Sequence, residues 1–153
     1  MELRKNNSPR YLYNSIFIKK LINGLARAGK VQKIEKALFQ SLANLKFRIS
    51  LNPLVLFLFL LNEIKPCIVL KSLRLGSVVY QIPTPLVFRK QLFSSIKLLV
   101  NLVKTSKQAI SINKKIELEL SLILQGKSSL FKVNQVLYKT ASNARAFAHY
   151  RWD

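Results

Sequence analysis

Apolar positions along this chain recur with two different periods, and the change of period marks the change of structure. Between Val31 and Arg48, Val31, Ile34, Leu38, Leu42 and Leu45 recur in steps of three and four, while Lys33, Lys36 and Gln40 fall elsewhere. That spacing predicts a helix with one buried face. A first helix is predicted over Tyr13–Lys30, stopped by Gly29 in the position that favours a left-handed residue. Asn52-Pro53 supplies a cap and a first-turn proline for a third helix running to about Lys65. Because Leu54 to Leu61 is apolar on every side, this helix is expected to be the central, fully surrounded one.

Past Lys65-Pro66 the pattern alters. Ile68 and Val69 on one side and Val78 and Val79 on the other bracket a Gly76-Ser77 pair, the mark of a β-hairpin over about residues 67–83. Pro83 and Pro85 are expected to close its second strand, since neither can donate to a ladder.

Helical spacing returns from Leu86 to Thr105, with Lys90, Lys97 and Lys104 on one stripe and Leu92, Ile96, Leu99 and Val103 on the opposite arc. A fifth helix is predicted over Ser111–Gln125, carrying Ile112, Ile116, Leu120 and Leu124 and stopping at Gly126. A sixth starts near Ser129 and continues into the terminal residues, with Phe147 following Leu137 and Ala144 into the core. The expectation is a mainly α fold. One six-helix domain spans residues 13–153, with the hairpin inserted between the third and fourth helices, behind a basic arm of residues 1–12.

Charge changes the picture from a fold to a function. Lys and Arg number 26 against 6 acids, a formal net charge of +20. A solvated face normally mixes signs, yet only Glu35, Glu63, Glu117 and Glu119 interrupt the basic residues of the helical body. Such an excess calls for counter-charge from nucleic acid phosphates or an anionic membrane. Hydrophobic residues make up 50% of the chain, too many for a disordered tail.

Catalysis and metal binding find little here. Cys67 is the single cysteine and His149 the single histidine, so neither a disulfide nor a Cys- or His-paired metal site can form within the chain. Cys67 reads as a small half-buried apolar residue. No Ser-His-Asp, Cys-His or paired-carboxylate pattern stands out; no enzyme, cofactor or metal is expected. The longest apolar run, Leu54–Leu61, is far short of the about 20 residues that span a membrane. Residues 1–10 lack the apolar stretch of a secretory signal, and no cleavable targeting segment is read there.

Three stretches resemble ribosomal protein seven of the small subunit, a universal family. They are Leu21-Ile22-Asn23 with Gly29-Lys30; Lys65-Pro66 through Gln81-Ile82-Pro83, with Ser72, Arg74, Gly76 and Tyr80 in register; and Ala146-Phe147-Ala148-His149-Tyr150-Arg151-Trp152. The resemblance covers the chain from Tyr13 onward. It implies a six-helix domain with an inserted hairpin, bound to the 3′ major (head) domain of small-subunit rRNA and supporting head assembly. It also places the hairpin and C-terminal helix near mRNA and exit-site tRNA, among neighbouring head and platform proteins. The family's hairpin tip commonly has two glycines and two adjacent arginines, whereas Ser77 and Leu73 stand at two of those positions here. Val69 replaces a common acidic residue and Ala144 a common Asn.

On chemistry and resemblance together, the candidate RNA-binding residues are Arg4, Lys5, Arg10, Lys20, Lys30, Lys71, Arg74, Tyr80, Gln81, Arg89, Lys90, Lys97, Arg145, His149, Tyr150, Arg151 and Trp152. Arg grips phosphate with two donors and Lys acts as a point charge, while aromatic rings and Arg planes stack on bases. Lys71 and Arg74 are the foremost contact candidates, because a hairpin extends charges beyond the globular body. Tyr80 is open to either cross-strand packing or RNA contact. His149 is expected as a hydrogen-bonding or stacking partner. Enrichment in Leu, Ile, Lys, Asn and Phe, with drift from the bacterial pattern, points to an organelle-encoded mitochondrial protein. Two other classes fit the charge: a free basic regulator of DNA or RNA, and a peripheral membrane protein. Cosedimentation with small subunits after a high-salt wash separates the first from a ribosomal protein, and flotation with anionic vesicles the second.

Overall fold

The computed structural model describes residues 15–49, 52–106 and 109–150, with side chains for all of these except 47–49. In chain order come α1 (Ile16–Leu25), α2 (Val31–Ile49), α3 (Pro53–Glu63), β1 (Ile68–Leu75), β2 (Val78–Pro85), α4 (Phe88–Thr105), α5 (Ile112–Leu124), α6 (Ser129–Asn143) and a 3-10 helix (Ala144–Tyr150). The fold is mainly α, six helices with a two-stranded antiparallel hairpin between the third and fourth.

The apolar periodicities converge on one core. Ile18, Leu21, Ile22 and Leu25 of α1 meet Leu38, Leu42 and Leu45 of α2, Leu56, Phe57, Leu60 and Leu61 of α3, Leu92, Ile96 and Leu99 of α4, and Ile116, Leu120 and Ile123 of α5. Helix α1 crosses α4 closely. A Cβ at Gly24 would lie 2.9 Å from Val100 Cγ2, so only glycine permits this approach without a shift. Helices α2 and α5 run side by side in the same direction, linked by Asn113 Nδ2 donating to Gln40 Oε1 (2.8 Å) and Asn44 Nδ2 to Glu117 Oε2 (3.0 Å).

Several expectations need correction. Helix α1 ends at Leu25 rather than at Lys30, because Ala26 turns extended (ψ 137°). Gly29 does take a positive φ, but within the turn between helices, beside Ala28 at φ 50°. Asn52 caps α3 as expected, accepting from Leu54 N. That helix is not surrounded, however: Val55 and Phe59 are 53% and 50% exposed. Helices α2, α4 and α5 pack against it and leave one side open. Cys67 is exposed, not half-buried.

The second strand also continues through both prolines to Pro85. The reason lies in the register. Leu86 N donates to Cys67 O (2.9 Å), and the pairs run from Ile68 opposite Pro85 to Leu75 opposite Val78. Bonded pairs alternate along an antiparallel ladder. Thr84, Ile82 and Tyr80 therefore face the partner strand, and Pro83 and Pro85 occupy positions whose N–H would point outward anyway. At the other end Gly76 has φ 61° and Ser77 has no positive φ, the pattern of a type II′ turn. Ser77 thus leaves the turn tight.

Helix α6 pins the hairpin's base. Buried Asn134 donates from Nδ2 to Ile64 O (2.9 Å), and Cys67 N donates to the Tyr138 hydroxyl (3.1 Å). The sixth helix does not run on regularly; at Ala144 the chain tightens to three residues per turn. In a 3-10 helix residues three apart eclipse, so Phe147 and Tyr150 come to one side. Both rings meet Tyr80 of β2, at centroid distances of 5.0 and 6.2 Å. Phe147 therefore packs on the hairpin rather than in the main core.

Two carboxylates are held under strain by burial. Glu35 Oε1 and Glu119 Oε2 are buried without a hydrogen-bond partner, and loss of water raises the pKa of each above the usual carboxylate range. A raised folded-state pKa means the protonated form favours folding. That contribution is complete below the unfolded-state pKa and is lost as pH rises through the folded one. Glu119→Gln is therefore expected to raise the melting temperature by a few degrees at pH 7.5, with the gain shrinking toward zero near pH 4. Paired thermal melts across that range check it.

Candidate nucleic-acid interface

Where α1 hands over to α2 and α4 to α5, the fold leaves a cleft of about 420 Å³. Leu25, Ile34, Val103, Ile110 and Ile112 form its apolar part, and Arg27, Lys30, Lys33, Lys104 and Lys115 line it with positive charge. No acid is among the lining residues. Two helices begin here, α2 and α5, and neither has an acid in its first turn. Lys33, Lys114 and Lys115 occupy those first turns instead, and the Ser111 side chain makes no capping bond. Helix N-termini carry partial positive charge and favour anions. Cations in that position are unfavourable in isolation and become favourable when an anion sits among them. Lys115 Nζ donates to Ser106 O (2.9 Å), tying the end of α4 to the start of α5, whereas Arg27, Lys30, Lys33 and Lys104 are exposed.

From this cleft a cationic track runs back along α4. Lys104, Lys97 and Lys90 are exposed on one stripe, spaced roughly 10 Å apart by the helical rise. Near its far end Arg89 and, from α1, Lys20 each lie 5.8 Å from the centre of the Phe93 ring, within cation–π range. Phe17 packs against the same ring at 5.5 Å. Candidates separated by some seventy residues, Lys20 and Arg89, are thus brought together around one aromatic.

The hairpin divides its charges between two faces. Side chains on neighbouring positions point to opposite faces of a ribbon. Lys71 shares a face with Tyr80, and Arg74 shares the other with Gln81, so Lys71 and Arg74 do not form a single patch. Arg74 Nε also donates to Gly76 O (3.2 Å) within the turn. The Tyr80 ring packs against Phe147 and Tyr150. The His149 ring stacks on Tyr150 at 4.0 Å, and Arg145 is exposed beside them. Arg4, Lys5, Arg10, Arg151 and Trp152, with the arm of residues 1–12, lie outside the described residues.

Arg27, Lys33, Lys104 and Lys115 were not among the candidates from the sequence. For Lys33 and Lys115 the signal was present as lysines in the first turns of two helices, where acids are usual; Arg27 lies in the turn before α2 and Lys104 in the last turn of α4. Only the fold shows that those two turns face one cleft.

Between Glu63 and Glu117 the chain has no acidic residue at all. A helical scaffold with an acid-free middle, a cationic cleft and a basic track has the charge distribution suited to a polyanion. Comparison with known sequences gives this chain a family. The family described as Ribosomal protein S7p/S5e matches residues 2–145. Small ribosomal subunit protein uS7 of Pelagibacter ubique is 30% identical over 149 residues, covering 97% of this chain and 95% of the relative. Its counterpart in Syntrophobacter fumaroxidans is 29% identical over 99% of this chain and 100% of the relative. The one in Desulfovibrio desulfuricans is 30% identical over 94% and 92%. The chain belongs to the ribosomal protein S7p/S5e family, and it is a structural protein rather than an enzyme.

Proposed function

We propose that this chain is a constituent of the small ribosomal subunit that binds the 3′ major (head) domain of its rRNA, supports assembly of the head, and lines the mRNA and tRNA exit-site region. Family membership supports the ribosomal role. The observation that carries the rRNA-binding part is the cleft, where five cations and two helix N-termini converge with no acid among them. Phosphate oxygens are the ligands that satisfy such a site.

In this reading the arm of residues 1–12 with Arg4, Lys5 and Arg10, the Lys20–Arg89 face, the Lys90–Lys97 stripe and the cleft with Lys30 hold rRNA. The hairpin, through Lys71, Arg74 and Gln81, and the terminal residues Arg145, His149, Tyr150, Arg151 and Trp152 approach the exit side. Neighbouring head and platform proteins complete the surroundings. The composition, rich in Leu, Ile, Lys, Asn and Phe, supports placement in a mitochondrial ribosome, encoded in the organelle.

The test is binding of the purified chain to transcripts of separate small-subunit rRNA domains over a series of salt concentrations. The expected result is preference for the 3′ major domain, with affinity falling steeply as salt rises. Equal binding to every transcript, or to DNA of the same length, would favour a free basic regulator instead.

A further inference from the structure

Two exposed cations from separate helices meet over one aromatic ring near the start of α4. Lys20 Nζ, from α1, and the Arg89 guanidinium each lie 5.8 Å from the centre of the Phe93 ring. The two charges stand no further apart than twice that distance, near enough to repel each other. No acid lies between Glu2 and Glu35 or between Glu63 and Glu117, the stretches that contain α1 and α4. Arg89 is also the second residue of α4, at the end where the helix dipole disfavours a cation. The ring holds the pair, because its electron-rich face attracts both. Phe93 is itself fixed from behind, packed on the core and against Phe17 at 5.5 Å.

A basic side chain can lie over a ring simply to cover it with its aliphatic stem. That accounts for one cation. Two of them, drawn together from distant parts of the chain with no acid to balance them, make a concentration of charge that an anion stabilises. Lys is a mobile point charge on a flexible stem and Arg a planar fork. Ordering both in advance reduces the freedom lost when phosphate binds.

We infer that Lys20 and Arg89 form a two-cation clamp on one stretch of RNA backbone, and that Phe93 is the positioning residue that sets it. Phe93 acts through the two charges and makes no RNA contact of its own. This rests on the reading of the chain as an rRNA-binding protein.

The test is filter binding of the full chain to a 3′ major domain transcript, with the melting temperature measured alongside. Phe93→Leu removes the ring and leaves every charge in place, and affinity should fall about fivefold. Phe93→Tyr, which keeps a ring, should bind as the unaltered chain does. Lys20→Ala and Arg89→Ala should each cost about fivefold with the ring present and only about twofold in the Phe93→Leu background. Phe93→Met, flexible and without a ring, carries the same comparison if the leucine variant does not fold. Affinity unmoved by loss of the ring, or equal losses from the alanine changes with and without it, overturns the clamp and leaves rRNA binding standing. If the unaltered chain shows no preference for the 3′ major domain, the rRNA reading fails and the clamp with it.

Discussion

Replacing Arg27, Lys33 and Lys104 together by alanine should weaken binding to a 3′ major domain rRNA transcript by roughly 100-fold. All three line the cleft and are exposed in the free chain. Each charge-assisted phosphate contact at a partly solvated site is worth about 1 kcal/mol. Three of them amount to about 3 kcal/mol, or two decades in affinity. The salt dependence carries the more specific signature. Three fewer neutralised phosphates should flatten the slope of log affinity against log salt by about 2–3 units. Filter binding at several salt concentrations measures both quantities. Removing three exposed cations from one cleft of a chain with net charge +20 should leave the melting temperature unchanged or slightly raised, since it relieves self-repulsion. A loss of affinity with an unchanged salt slope would mean that these residues act through the fold and not on phosphate.

The second large effect belongs to the core. Phe57 on α3 is 0% exposed, among Leu56, Leu60 and Leu61 of its own helix and the inward faces of α1, α2, α4 and α5. Phe57→Ala should cost about 3–5 kcal/mol, from lost transfer energy and the cavity left behind. In a domain of this size that lowers the melting temperature by roughly 10 °C or more. Phe59, two residues along and 50% exposed, provides the contrast. Phe59→Ala should change stability by less than about 1 kcal/mol. Thermal or urea unfolding of the two variants separates a buried ring from an exposed one on the same helix.

That contrast also shows where sequence reasoning stopped. An unbroken run from Leu54 to Leu61 has no polar side, so periodicity could not say which positions face water. The surrounding helices decide it by leaving Val55 and Phe59 uncovered. Where apolar and polar residues alternate with a clear period, as on α2 and α4, the buried positions Leu38, Leu42, Leu45, Leu92, Ile96, Leu99 and Val103 were legible in advance. The hairpin and its Gly76-Ser77 turn were legible too, because a two-residue turn fixes register locally. Its two prolines were misread as a stop because the outcome depends on ladder parity, which the sequence does not display.

The terminal aromatics were legible as residues and not as an arrangement. Extending the α-helical period past Ala144 places Phe147 with Leu137. The tighter 3-10 turn places it with Tyr150, and together they seat on Tyr80 from the hairpin. A two-stranded hairpin is marginal by itself. The terminal turn and the bonds from Asn134 and Tyr138 give this one a fixed direction. The cleft was the least legible feature. Its cations come from α2, α4, α5 and the turn before α2, and no local pattern announces that helix starts eighty residues apart converge.

A density map of the intact small subunit decides whether the cleft holds RNA. The expected result is rRNA phosphates of the 3′ major domain in the cleft, within about 4 Å of Arg27, Lys33 and Lys104, close enough for ion pairing. A cleft open to solvent in a subunit that contains the chain, or filled by protein, would contradict it.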